Sequence, residues 1–407
     1  MRTILHSDCN NFYASVECAL HPELRGKPLA VCGSQELRHG IVLAKNEQAK
    51  RYGVKTGDAI WQARKKCPGI EIVSPHHGMY GEYSHRMREI YYDYTDQIEP
   101  FGLDECWLDV TGSRQGGVEI AAAIRRRARA ELGITVSVGV SFNKVFAKLG
   151  SDMRKPDATT VITPDNFREK LWPLPAGDLL FVGRRTRQAL GGRGLYTIGD
   201  VARADPAILR AMFGKSGAVL QAYALGLDDS PVARMGENEP LKSIGNSTTT
   251  ARDMMNAEDA RAVLYGLCDS VAARLRENGV KCRMVALWVR DNGLSGFDRQ
   301  MMLPLPTQLS SELFEASFSL LQAHYDWRRP LRSLGVRTGH LIGEKQADQL
   351  SLFPDRHREK QEKLERTIDE IQGKFGYDAL RRAILLQDSS LDGGDIKGRQ
   401  GSSPLRG

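Results

Sequence analysis

A chain of 407 residues is longer than one hydrophobic core usually organises, which predicts roughly two to four domains. A hydrophobic share of 41% and a charged share of 26% are those of a soluble globular protein, and seven scattered cysteines without a C-x-x-C pair argue against a disulfide framework or a zinc site. With no apolar run near the roughly 18 residues of a membrane span and no signal-peptide core, a cytoplasmic protein is expected, and a net charge of +7 favours a polyanionic partner.

Residues 2–8, R-T-I-L-H-S-D, read as a short buried strand ending at Asp8, and N-F-Y-A-S-V-E-C-A-L as the helix after it, with Phe12 and Val16 at helical spacing. Residues 27–75 predict two short strands, L-A-V-C and G-I-V-L-A, and a helix from about Asn46 to Tyr52. A helix over about Tyr80 to Tyr94 then leads to a strand around Gln97 to Phe101, the pair Asp104-Glu105, and a strand C-W-L-D-V. A basic helix from about Val118 to Leu132 and the β-prone I-T-V-S-V-G-V-S complete a ferredoxin-like order, with residues 11–76 inserted after the first strand. From Arg114 to Lys155 there are nine Lys or Arg against three Asp or Glu, a solvated face or a footprint for a polyanion.

Short glycine-broken helices from about Phe167 to Pro231 predict a small helical domain, and 234–240 is polar enough for a linker. From Leu241 to about Ile342, strands such as S-I-G-N-S-T-T-T alternate with helices over about Ala257 to Asn278 and Gln308 to His324, a second α/β module. The final residues have too little apolar surface to fold.

Successive strand side chains face opposite ways, so a regular strand would not aim both Asp104 and Glu105 at one target. A bend at Gly102 would allow it. An Asp-Glu pair at a turn is commonly just solvated. Asp8 at the end of the neighbouring strand changes the balance, because three uncompensated carboxylates repel unless divalent cations neutralise them. Mg²⁺ suits such oxygen ligands, and two ions about 3.5–4 Å apart support phosphoryl transfer.

The segments H-S-D-C-N-N-F-Y-A-S-V-E (6–17), F-G-L-D-E-C-W-L-D-V-T-G (101–112), V-S-V-G-V-S-F-N-K-V-F-A-K-L-G-S-D-M-R-K-P (136–156), Y-T-I-G-D-V-A (196–202) and K-S-I-G-N-S-T-T-T (242–250) together resemble the Y-family translesion DNA polymerases, in the branch of bacterial DNA polymerase IV. The resemblance covers residues 1 to about 388. It implies an α+β right-hand polymerase: a ferredoxin-like palm at 1–10 and 77–165, small fingers at 11–76, a helical thumb at 166–233, an α/β little finger at 241–343 and a tail at 344–407. It implies that Asp8, Asp104, Glu105 and the Cys9 carbonyl bind two Mg²⁺, that Tyr13 is a steric gate against the ribose 2′-hydroxyl, and that Lys155 holds the triphosphate. Where many relatives grip the triphosphate with Tyr and Arg, this sequence has Glu47 and Lys50. Lys50 keeps a point charge without the guanidinium fork, and Glu47 would repel phosphate unless it turns away or pairs with Lys45 or Arg51.

Gly183 and Gly214 each precede a thumb helix, where backbone N–H groups cradle phosphates or simply make a turn. Lys242, Arg252, Arg283, Arg290, Arg332 and Arg337 lie on or near little-finger strands, placed to track a duplex backbone or to be solvated. Gln349-Leu350-Ser351-Leu352-Phe353 resembles the peptide by which bacterial polymerases bind the sliding clamp. Beyond it, Leu364, Ile368, Ile371 and Phe375 form a helical stripe expected to pack on the protein itself. The reading is a monomeric, error-prone DNA polymerase acting at lesions on primer-template DNA and deoxynucleoside triphosphates, without a proofreading segment. Two rivals are a non-catalytic recruitment protein, which would lack triad acids, and a nucleotide cyclase, which needs neither thumb turns nor little finger.

Overall fold

The computed structural model describes residues 2–35, 38, 40–236, 241–344, 346, 356–386, 388 and 390–391. They fall into two compact units, one from residues 1–32 and 42–238, the other from 33–41 and 239–402. Among the described residues no helix is long and apolar enough to cross a membrane, and all seven cysteines are free thiols, six of them buried.

In the first unit the chain runs β1 (Ile4–Cys9), α1 (Phe12–Leu20), β2 (Leu29–Cys32), β3 (Val42–Lys45), α2 (Glu47–Arg51), α3 (Ile60–Lys66), β4 (Glu71–Val73), α4 (His77–Tyr92), β5 (Ile98–Pro100), β6 (Glu105–Asp109), α5 (Gly117–Arg127), β7 (Val136–Ser141), α6 (Lys144–Met153) and β8 (Thr159–Val161). The main sheet has the order β5-β6-β1-β7-β8. β1 is antiparallel to both β6 and β7, which is the ferredoxin-like arrangement expected from the element order, with β8 added parallel to β7 at the edge. Every residue of β1 and of β7 is buried, because helices cover both faces. A smaller sheet, β3-β2-β4, has its own core around Val42, Ala49, Val54, Ile60 and Ala63.

The close seating of α6 has a definite cause. A Cβ on Gly139 would lie 1.9 Å from the Ala147 carbonyl oxygen, so only glycine in β7 lets α6 lie this near the sheet. Asn143 starts the helix, its side chain accepting the Phe146 N–H at 2.8 Å.

The remainder of the first unit is helical: α7 (Phe167–Leu171), α8 (Arg184–Gly191), α9 (Ile198–Arg203), α10 (Pro206–Phe213) and α11 (Lys215–Ala224), around Leu171, Leu190, Ile198, Val201 and Leu209.

The second unit holds β9 (Ser243–Met254), α12 (Ala257–Glu277), β10 (Val280–Asp291), β11 (Gly296–Thr307), α13 (Ser310–His324), β12 (Leu331–Gly343) and α14 (Arg356–Phe375). Its sheet has the order β11-β10-β12-β9, all neighbours antiparallel. Strand β11 contains Pro304 and Pro306, which an edge strand tolerates and a central one would not.

Of the expected apolar stripe on α14, Ile368 and Ile371 are half-buried, while Leu364 and Phe375, 58% and 67% exposed, lie outside the packed face. The helix docks chiefly through charge. Glu365 is buried and accepts hydrogen bonds from Ser310 N (3.0 Å) and Ser310 Oγ (2.6 Å), while Arg276 pairs with Glu365 and with Asp369. Helix α13 has no side-chain cap of its own, so Glu365 caps it from another helix, a favourable place for a carboxylate. The ion network, in which Arg276 also donates to the Gln308 carbonyl at 2.9 Å, outweighs the modest area an exposed Leu364 would bury.

Candidate active site

The site begins with strand order. Because β1 sits between β6 and β7, its last residues meet the start of β6, and Asp8 is directly opposite Glu105. Cross-strand partners project to the same face, so both carboxylates point to the side covered by α6. Asp104 lies in the turn joining β5 to β6. Gly102 adopts φ +97° there, the Phe101 N–H donates to the Glu105 carbonyl at 2.8 Å, and the Cys9 N–H donates to the Asp104 carbonyl at 2.9 Å. The hairpin turn is thus the bend expected from the sequence, and it removes Asp104 from strand alternation beside its two neighbours.

Helix α6 supplies the countercharge. Lys155, just beyond it, donates to Asp8 Oδ2 at 2.7 Å and pairs with Asp152 at 2.8 Å; Lys148 donates to Glu105 Oε2 at 2.5 Å. Buried His6 meets Ser151 Oγ at 2.8 Å, and its Nε2 lies 3.4 Å from Glu105 Oε2. The carboxyls respond differently. Burial pushes Asp8 up to about 7 against the pull of Lys155. Burial, reinforced by Glu105, also raises Asp104. At Glu105 burial is outweighed by the His6 ring and the Lys148 ammonium, which hold it down to about 2.

Among the described residues, no three His, Cys, Asp or Glu side chains are gathered into a ready metal cage. The donor chemistry nevertheless fits a hard divalent cation. Three carboxylates sit at one sheet edge, two of them raised by burial and so in need of positive charge, and lysine ammonium groups now provide it.

Tyr13, on the first turn of α1, is half-buried; its ring stacks on Tyr80 at a centroid distance of 4.0 Å and 12°. Its neighbour Phe12 takes the core position, 4% exposed. Lys50 is exposed on α2. Glu47 pairs with neither Lys45 nor Arg51: its Oε1 accepts from Asn11 Nδ2 at 3.2 Å and from Lys50 Nζ at 3.5 Å, while Lys45 donates to Thr56. Gly183 and Gly214 cap α8 and α11; Gly183 is extended at φ −78°, whereas Gly214 has φ +60°.

In the second unit Arg337 is exposed on β12 opposite Ala286, Arg332 is half-buried at a register shift, and Lys242 is exposed just before β9. Arg252 is committed elsewhere: its guanidinium bonds Asp259 (2.8 and 2.9 Å) and Asp388 (2.7 and 2.9 Å). Gln349, Leu350, Leu352 and Phe353 lie outside the described residues. Sequence reasoning passed over Lys148 and His6. The signal for Lys148 was present, since Lys148, Asp152 and Lys155 follow one another at helical spacing of four and three, one face of α6 and its extension.

A ferredoxin-like sheet with acids at one edge, inserted fingers, a helical segment and a separate sheet-and-helix unit is the architecture of a right-hand polymerase of the Y family. The sequence profile of the impB/mucB/samB family matches residues 7–152, and that of its C-terminal domain residues 241–352. DNA polymerase IV of Acetivibrio thermocellus is 49% identical over 395 residues, covering 96% of this chain and 99% of that protein. DNA polymerase IV of Moorella thermoacetica is 37% identical over 393 residues, covering 96% and 97%. Among solved structures, a Y-family DNA polymerase chimera superposes with a TM-score of 0.73 at 25% identity, covering 84% of this chain and 99% of its own. The chain belongs to the impB/mucB/samB family, in the bacterial Y-family branch whose members are called DNA polymerase IV.

Proposed function

We propose that this chain is a template-directed, error-prone DNA polymerase for translesion synthesis, adding deoxynucleotides to a primer 3′-hydroxyl by two-metal phosphoryl transfer. The observation that carries the proposal is the register of Asp8 against Glu105 with Asp104 in the adjoining turn. Asp8, Asp104, Glu105 and the Cys9 carbonyl are the groups that would hold two Mg²⁺. Such ions, when bound, activate the attacking hydroxyl and stabilise the leaving oxygen.

The other roles belong to the chain itself. Lys155 presents an ammonium at the carboxylate edge, within reach of a triphosphate. Tyr13 blocks a ribose 2′-hydroxyl. Lys50 supplies a point charge in the fingers, and Glu47, engaged by Asn11 and Lys50, has its repulsion of phosphate offset. Backbone N–H groups after Gly183 and Gly214 contact phosphates of the primer-template duplex, and Lys242, Arg332 and Arg337 track its backbone. Arg252 we assign instead to holding its own unit together. Gln349, Leu350, Leu352 and Phe353 bind the sliding clamp, and the protein works as a cytoplasmic monomer.

Primer extension with Mg²⁺ on intact and damaged templates tests the reading. Wild type extends both and Asp104→Asn extends neither. Absence of extension by wild type would reject the polymerase reading, and undiminished extension by the variant would reject the acid triad.

A further inference from the structure

Glu17 is a charged side chain with 1% exposure in the core between α1 and α4, and nothing in the proposed chemistry uses it. A buried carboxylate is costly unless it is fully hydrogen-bonded, so its partners show what it is for. Tyr80 Oη donates to Glu17 Oε1 at 2.5 Å, and His76 Nδ1 lies 3.0 and 3.1 Å from its two oxygens. On α1, Tyr13 and Glu17 are four residues apart; His76 and Tyr80, at the start of α4, are also four apart. Each pair shares a face, so the two helices meet through a clasp of four side chains. At one end Glu17 binds Tyr80 and His76. At the other the Tyr80 ring, wholly buried, carries the Tyr13 ring stacked on it at 4.0 Å, with His77 edge-on to both at 5.9 and 5.7 Å.

Tyr80 cannot swing away from its place without withdrawing its hydroxyl from Glu17, which would leave the buried carboxylate only His76 as a partner, a loss larger than that of a neutral hydrogen bond. Burial and the bond to Glu17 also keep the Tyr80 proton in place, raising its pKa. The place of the Tyr80 ring is therefore fixed by Glu17, its plane is held by the Phe12, Tyr13 and His77 rings packed on it, and Tyr13 stacks on a surface that does not shift.

We infer that Glu17 is a positioning residue for sugar selection: through the Tyr80 hydroxyl it fixes the ring on which Tyr13 stacks, and so sets how closely Tyr13 approaches the nucleotide sugar. The inference rests on the proposed role of Tyr13 as the steric gate. Glu17 itself touches no substrate in this scheme.

The test measures kcat/KM for a deoxynucleoside triphosphate and for the matching ribonucleotide opposite one template base, in the full-length wild type and in Glu17→Gln, Tyr80→Phe and Tyr13→Ala. The ratio of the two is independent of how much of a preparation is folded, so a purely structural role for Glu17 would not move it. Tyr80→Phe keeps the stacked ring and removes only the hydroxyl, which guards against a variant that fails to fold. Glu17→Gln and Tyr80→Phe should each lower the deoxy-over-ribo ratio by about tenfold, with a smaller change in deoxynucleotide kcat/KM. If both retain the wild-type ratio while Tyr13→Ala loses it, the role of Glu17 is overturned and the gate stands. If Tyr13→Ala also retains it, the gate reading itself is overturned.

Discussion

In the first unit the chain lays down strand, helix, two strands, helix and strand, and folds them as β7-β1-β6-β5. In the second it lays down the same run, β9-α12-β10-β11-α13-β12, and folds it as β11-β10-β12-β9. The initial strand is interior in one sheet and at an edge in the other. In the palm this brings the end of β1 against the start of β6, and two carboxylates meet across the ladder. In the second unit the equivalent end of β9 meets only β12, where Met254 faces Leu331 in the apolar core. Strand order, more than element order, decides whether an acid site can form. Charge follows the same division: in the palm it converges at a sheet end, and in the second unit it joins helices and tail.

The sharpest way to break that comparison is to remove one charge from the palm. Glu105→Gln keeps the shape of the side chain and its place opposite Asp8 but removes the partner of Lys148 and His6. Primer extension should fall on the order of 10³-fold, the scale of losing one charge-stabilising group at a reacting centre. The thermal midpoint should fall only modestly, since the variant loses the pairing with Lys148 but also the repulsion of Asp8 and Asp104. A variant that extends primers normally would remove Glu105 from the reacting centre, and one that unfolds would show the palm acid to be structural.

The second unit should behave in the opposite way. Arg276 has 8% side-chain exposure and holds both Glu365 and Asp369, so Arg276→Ala leaves two acids without their cation. A loss of about 3–5 kcal/mol is expected in urea unfolding, with α14 released, while extension per bound primer is retained. Urea is preferable to guanidinium because the latter's ions screen the pairs under test. A stability loss below 1 kcal/mol, on the scale of an exposed pair, would mean that α14 is held by apolar contact after all.

Much of the palm was legible because its signals are local. β1, the turn at Gly102 and the pair that follows are encoded within short stretches, and the element order limits the sheet to few arrangements. The acids were legible for the same reason. Lys148 and His6 were not, since their contact with Glu105 depends on how close α6 lies to the sheet, which Gly139 controls from another strand. The second sheet was legible as α/β but not in strand order, and β11, with its prolines and mostly exposed side chains, offered neither alternation nor β propensity. On α14 periodicity was half right: Leu364, Ile368, Ile371 and Phe375 recur as a buried stripe would, but only Ile368 and Ile371 are half-buried. The face is chosen by Arg276, 88 residues before Leu364, whose counterions among the described residues are Glu365 and Asp369, a relation no local window contains.

The smallest effect expected contrasts carboxyls in the two units. In the palm burial drives Asp8 up to about 7. In the second unit Asp388, whose side chain is 37% exposed, is held down to about 2 by the Ser390 hydroxyl and the Arg252 guanidinium. Arg252 likewise holds Asp259 below the usual carboxylate range. A carboxyl lowered on folding binds its proton more weakly in the native state, so its contribution is complete above the unfolded pKa of 3.8 and is lost as pH falls through about 2. Asp388→Asn should therefore lower stability at pH 7 by less than about 1 kcal/mol, the discount appropriate to a solvent-screened pair. It should also flatten the acid limb: between pH 5 and pH 3 the urea midpoint of the variant should fall less than that of wild type. Equal slopes would mean that the Arg252 pairing is as loose in the folded as in the unfolded chain, and that Asp259 alone anchors Arg252. A steeper slope in the variant would reverse the sign and remove the contrast with Asp8.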